Sequence, residues 1–229
     1  MILCIETATT LCSVALCDSS GVIAVKESAE ERSHAASLTP GIQEILKEAG
    51  IRVSDLEAVA VSKGPGSYTG LRIGVSTAKG MAYAASIPMI GINTTYSMFH
   101  GFISSGKDFQ ETDLFCPLLD ARRMEVYYSV FNINSTVIKD TRAEIITADS
   151  FSDLPETSRI FFFGDGTGKC MDIIRRRNIF FDAGFRISAA SMHKPAYDFF
   201  RNRRFENTAY FEPFYLKDFL ATKPVKNIL

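Results

Sequence analysis

Three short stretches of this chain hold residue types able to do chemistry. Glu6-Thr7-Ala8-Thr9-Thr10 places a carboxyl and three hydroxyls on a polar turn straight after an apolar run. Ser62-Lys63-Gly64-Pro65-Gly66-Ser67-Tyr68-Thr69-Gly70 is a Gly-rich loop between a second apolar run and a long Pro-free segment. Gly164-Asp165-Gly166-Thr167-Gly168-Lys169 is a third such corner. Each offers backbone N–H groups, the means by which a turn or helix start holds a phosphate. Their spacing departs from the known phosphate loops. None meets G-x-x-x-x-G-K-[ST], and Gly64-x-Gly66-x-x-x-Gly70 is one residue off the dinucleotide fingerprint. Pro65-Gly66-Ser67-Tyr68 does not fit a G-x-S-x-G elbow, and helix capping by Ser67 or Thr69 accounts for those hydroxyls.

Metal chemistry has less to work with. The three histidines, His34, His100 and His193, have no partner at i+4; four residues after His34 stands Leu38. Cys4, Cys12, Cys17, Cys116 and Cys170 show no C-x-x-C spacing. An odd number of cysteines and no basic leader point to buried thiols in a reducing cytoplasm. No apolar run is long enough for a membrane span. A net charge of −1 excludes an autonomous polybasic nucleic-acid binder. Arg175-Arg176-Arg177 and the group Arg201, Arg203 and Arg204 read as solvated helix faces.

The elements that must position these residues follow from periodicity. Strands are expected over 2–5, 13–17, 22–27, 57–61 and 89–92, with helices over 34–48, 69–86 and 94–104. Pro40-Gly41 predicts a kink or an irregular first turn in the first helix. Polar residues 104–113 divide the chain into 1–106 and 107–229, after which the pattern partly restarts. The second part predicts strands over 114–119, 126–132, 137–146 and 160–163, with helices over 149–154, 167–178 and 189–203. The aromatic tail Tyr210-Phe211-Glu212-Pro213-Phe214-Tyr215 must pack or dock.

This order resembles the two-lobed α/β fold of the actin/Hsp70/ribonuclease H-like (ASKHA) superfamily. Four stretches carry a closer resemblance, to the non-catalytic branch of the TsaD/Kae1 (glycoprotease-like) family: Ile2-Leu3-Cys4-Ile5-Glu6-Thr7-Ala8-Thr9, residues 62–80, residues 88–93, and Glu212-Pro213-x-Tyr215-Leu216. The resemblance implies a scaffold for placing threonylcarbamoyl on the tRNA adenosine beside the anticodon. The implied partners are a TsaD-like catalytic subunit and a TsaE-like ATPase, with tRNA held through the complex and a homodimer when alone. Catalytic relatives carry a metal-binding pair, Gly-Val-Asn-His-x-x-x-His, after the long helix. Here the stretch reads Gly91-Ile92-Asn93-Thr94-Thr95-Tyr96-Ser97-Met98, so Thr94 and Met98 replace the ligands. Neither suits a hard or borderline ion. No metal, no cofactor and no catalytic residue is therefore expected. Glu6, Thr7, Thr10, Gly164 and Gly166 remain as a vestigial phosphate site. The rival readings are a metallopeptidase of glycoprotease type and an ATP-dependent enzyme on the same fold.

Gly70, Gly74, Ala78 and Ala82 recur every fourth residue, a stripe that lets another helix approach closely. The family resemblance implies that the helices over 34–48 and 69–86 meet the partner. The expected interface is Leu38, Ile42, Leu46, Gly70, Gly74, Ala78, Ala82 and Tyr83. Lys63, Arg72 and Lys79 read as solvated cations or as contacts to an acidic partner surface. Asp120-Ala121-Arg122-Arg123 could form an ion pair between lobes.

Overall fold

Strand β1 (Ile2–Glu6) is buried along its whole length because both its faces are covered. Leu3 and Ile5 point to one side, Ile2 and Cys4 to the other, as strand alternation requires. The computed structural model describes residues 1–29 and 34–217. The first sheet runs in the order β3-β2-β1-β4-β5, with β2 (Cys12–Cys17), β3 (Val22–Ser28), β4 (Ala58–Gly64) and β5 (Met89–Asn93). Strands β1 to β3 are antiparallel, and β1, β4 and β5 are parallel. The second sheet repeats this plan as β10-β9-β6-β7-β8. Its strands are β6 (Leu114–Asp120), β7 (Glu125–Asn132), β8 (Val137–Ile145), β9 (Ile160–Phe163) and β10 (Ile179–Asp182). The lobe-sized symmetry expected from the sequence is present, strand for strand.

On one face of the first sheet lie α1 (His34–Glu48) and α2 (Tyr68–Ala85). Leu38, Ile42, Ile45 and Leu46 of α1 and Val75, Ala78 and Ala82 of α2 join Leu3, Ile5, Val59 and Val61 in one cluster. Each large side chain so buried contributes roughly 2 kcal/mol. Helix α1 runs unbroken through Pro40, whose side of the helix, with Ala36, is exposed, so the missing N–H bond faces water.

The small-residue stripe of α2 faces this sheet, which corrects the expected interface. A Cβ on Gly70 would lie 2.0 Å from the Thr7 carbonyl oxygen, and one on Gly74 2.3 Å from Thr7 Oγ1. Gly70 and Gly74 are small because the β1–β2 turn presses on α2, and Ala78 and Ala82 continue the stripe as buried members of the sheet-facing cluster. Leu38, Ile42 and Leu46 are likewise core residues of this protein. Of the expected seam only Tyr83 is open, at 83% exposed.

The other face of the first sheet is covered by residues from far along the chain. A 3-10 turn (Ala189–Met192) and α4 (His193–Arg201) bring Ala189, Met192, Ala196 and Tyr197 against Ile2, Cys4, Ala60 and Ile90. A division at 106/107 therefore separates the first sheet from its own cover. Between the sheets lies α3 (Thr94–Ile103), whose Phe99 and Phe102 pack with Phe115, Phe131 and Phe163.

Two expected helices are absent among the described residues. Residues 149–154 form turns, and 167–178 hold only a short 3-10 piece, Thr167–Lys169, before the unforeseen strand β10. Arg176 is no solvated helix residue. Its Nη1 donates to the carbonyls of Phe151 and Leu154, each at 2.8 Å, and so pins the 149–154 turns. All five cysteines are free and buried. No described helix is long and apolar enough to cross a membrane. Because Gly74 sits on the turn, we expect Gly74→Leu to destabilise the isolated protein by about 3 kcal/mol, read from urea midpoints. A variant as stable as the parent would place the stripe elsewhere.

Candidate functional site

The β1–β2 turn, expected as a vestigial phosphate site, has several of its polar groups engaged from within. Glu6 Oε1 accepts from Ala8 N at 2.6 Å and from Ser62 Oγ at 2.7 Å. Thr9 Oγ1 accepts from Leu11 N, and the Ala8 carbonyl accepts from Ser67 N at 2.7 Å. The turn thus holds its own carboxyl as an internal anion, tying β1 to β4 and to the start of α2. Ser67 also caps α2, accepting from Gly70 N at 3.2 Å. Glu6 Oε2 and Thr7 Oγ1 are buried without a partner among the described residues.

The second expected phosphate corner is packed shut as well. Cβ atoms at Gly164 and Gly166 would strike β6, the first lying 2.4 Å from the Leu118 carbonyl oxygen. Thr167 Oγ1 donates to the Gly164 carbonyl. Of Glu6, Thr7, Thr10, Gly164 and Gly166, only Thr10 is exposed. The Asp120 hairpin does not bridge the lobes: Asp120 pairs with Lys169, and its Oδ1 accepts from Arg122 N at 2.6 Å.

At the position of the relatives' metal pair the donor set does not fit a metal. Thr94 and Met98 are buried, and the Met98 methyl lies 2.4 Å from where a Gly164 Cβ would stand, plugged into the second lobe. Beside them four side chains close a ring between the lobes. Asn93 Nδ2 donates to Thr141 Oγ1 (3.0 Å), Thr141 to Ser129 (2.8 Å), Ser129 to Thr95 (2.7 Å) and Thr95 to Asn93 Oδ1 (2.7 Å). Only that direction satisfies every hydroxyl, since Asn93 Nδ2 must give and Oδ1 must receive. His100 is buried edge-on to Tyr96 at 4.5 Å, and that burial pulls its imidazole down to about 4. Among the described residues no group of three or more His, Cys, Asp or Glu could hold a metal ion.

What lies open is the outer face of α1 and α2. Between the helices runs a groove of about 380 Å³, lined by Ala35, Leu38, Thr39, Arg72, Ile73, Ser76 and Thr77. On the far side of α2 a second hollow of about 320 Å³ lies between Tyr68, Arg72, Ser76 and Lys79 and the tail residues Phe211, Glu212, Pro213 and Tyr215. Arg72 and Ser76 belong to both, so the two hollows form one surface astride α2. Lys63 and Lys79 are held by the tail: Lys63 pairs with Glu206, and Lys79 Nζ donates to the Phe211 carbonyl at 3.0 Å. Arg72 stays exposed and donates to Tyr68 Oη. The tail's aromatic content signalled that it packs, but nothing in the residue pattern said against what.

Fold and site together define a two-lobed α/β protein built on two five-stranded mixed sheets of one plan. The model of the family "TsaD: tRNA N6-adenosine threonylcarbamoyltransferase" matches residues 23–160, more than half of the chain. The chain belongs to this family, on its TsaB/YeaZ side. It is 39% identical over 130 residues to the Escherichia coli tRNA threonylcarbamoyladenosine biosynthesis protein TsaB, covering 57% of this chain and 54% of that protein. The Bacillus subtilis protein of the same name is 29% identical over 197 residues, 85% of this chain and 82% of that one. A Pseudomonas aeruginosa crystal structure, described as similar to peptidase YEAZ, shares the fold with a TM-score of 0.83 at 23% identity, over 94% of this chain and 99% of that one.

Two consequences can be measured. Burial holds the Glu6 carboxyl at about 7, above its ordinary 4.5, against the opposing pull of its donors. A carboxyl raised in the folded state favours folding while protonated, and that advantage is lost as pH climbs from 4.5 through 7. Glu6→Gln should therefore gain about 2–3 kcal/mol over the parent between pH 5 and pH 8 in urea titrations; an equal difference at both pH values would mean that the carboxyl is solvated. Ser129→Ala breaks the ring and should cost about 1–3 kcal/mol by the same assay.

Proposed function

We propose that this protein is a non-catalytic subunit that docks a TsaD-like partner and activates it for threonylcarbamoyl transfer to the tRNA adenosine beside the anticodon. Its relatives are named for that biosynthesis. The observation that carries the docking role is the outer face of α1 and α2: an open groove between the helices and, farther along α2, a Tyr83 ring left in water. The partner is of the same family and carries the same fold, so it has two helices of its own to lay in the groove. A second copy of this chain covers the face when the partner is absent. A TsaE-like ATPase and tRNA then join through the complex.

A non-catalytic role is supported by Thr94 and Met98 at the positions of the relatives' metal histidines, and by the engaged donors of the β1–β2 turn. The outward residues of the two helices replace the expected stripe as the contact surface: Thr39 of α1 and Arg72, Ile73 and Ser76 of α2 in the groove, with Tyr83 beyond it.

Light-scattering chromatography of the protein mixed with the TsaD-like protein of the same cell should show a new complex. Ile73→Glu, which sets a charge in the groove, should prevent it. Tyr83→Ala should weaken it roughly tenfold while leaving the isolated melting temperature unchanged. Turnover of peptide or ATP by the protein alone, or no complex with the partner, would overturn the reading.

A further inference from the structure

The tail does more than cover a sheet edge. Glu206 bridges antiparallel to Met89 on β5, the edge strand of the first sheet, with Glu206 N donating to the Met89 carbonyl at 2.9 Å. Phe211 then packs over Gly91, where its ring leaves no room for a Cβ. Phe214 N donates to the Lys63 carbonyl at 2.6 Å, holding the tail on the Gly-rich loop. Tyr215 meets the Tyr68 ring at the start of α2, with centroids 4.8 Å apart. Two residues on, Lys217 leaves the first lobe: it pairs with Glu125 at the start of β7 and lies over the Tyr127 ring at 5.8 Å. One segment therefore touches β5, the Gly-rich loop, α2 and the second sheet in turn. Where it passes α2, it forms one wall of the hollow whose other wall holds Arg72 and Ser76, residues shared with the α1–α2 groove.

We infer that residues 205–217 form a strap that links the second lobe to the docking surface, so that a TsaD-like partner binds tightly only while the strap is seated on Glu125. This rests on the docking role proposed above and adds its regulation. The strap is fastened to the first lobe by backbone hydrogen bonds and the half-buried Phe211 ring. Its tie to the second lobe is one ion pair and one cation–π contact. The weak end is thus the one that senses how the lobes sit. Release of Lys217 frees Tyr215 and Pro213, and the wall beside α2 loses its shape.

The test uses the full chain and the TsaD-like partner, with affinity measured by titration calorimetry and tail exposure by limited proteolysis. Glu125→Lys lies on the second sheet, away from the α1–α2 groove. It should weaken partner binding about fivefold, the worth of one half-buried ion pair, and open the tail to protease. Lys217→Glu alone, outside both cores, should do the same. The double variant Glu125→Lys/Lys217→Glu restores the pair and should recover both readouts. Single variants that bind like the parent, while Ile73→Glu abolishes binding, overturn the strap and leave the docking surface standing. A loss that the double variant does not restore also overturns it. Binding that survives Ile73→Glu removes the docking surface and the strap with it.

Discussion

The contact on which the rest of this structure depends is the approach of α2 to the β1–β2 turn. Two helix glycines let the Thr7 backbone and hydroxyl come where any side chain would collide. That closeness brings Ser62 and the Ala8 amide around the Glu6 carboxyl, which is held at a cost because it is buried. It also fixes which side of α2 faces the sheet. With the small residues turned inward, Arg72, Ser76 and Tyr83 are forced outward, so the open surface of α2 is set by the same geometry that closes the β1–β2 turn.

Both polar corners and the region between the lobes are held by contacts from within the chain. The two corners that would hold a nucleotide here are satisfied from within, one by Glu6 and one by β6. The hinge region carries a closed ring of four polar side chains, and Met98 is seated in the opposite lobe. Hydrogen bonds in such a ring strengthen one another when water is excluded. The lobes are thereby joined through α3 at one side and through the tail at the other.

Much of this was legible in the residues, and the failures are physical. Patterning gave β1 to β5 in order: β1, β2, β4 and β5, covered on both faces, read as apolar runs between turn signals, and the exposed β3 follows the turn after β2. The Gly-Ala stripe was correctly seen as a close-approach surface, yet spacing alone cannot say whether the approaching backbone is a partner's helix or the chain's own turn. Residues 167–178 are rich in good helix formers, but Cys170 and Ile174 are drawn into the second core while β9 offers an edge for β10, and the tertiary pairing wins over propensity. Lys63 and Lys79 looked like free cations because their acceptors lie more than 120 residues away. The open groove had no signature of its own, being defined by what its neighbours turn inward.

The cover of the first sheet has a consequence for how the chain is made. Strands β1 to β5 are complete once residue 93 has left the ribosome, but the face bearing Ile2, Cys4, Ala60 and Ile90 waits for α4, about a hundred residues later. At ordinary rates of synthesis that is roughly 5–20 s during which an apolar sheet face stands open. The nascent half-molecule carries this open apolar face, and its exposure to aggregation ends only when α4 emerges.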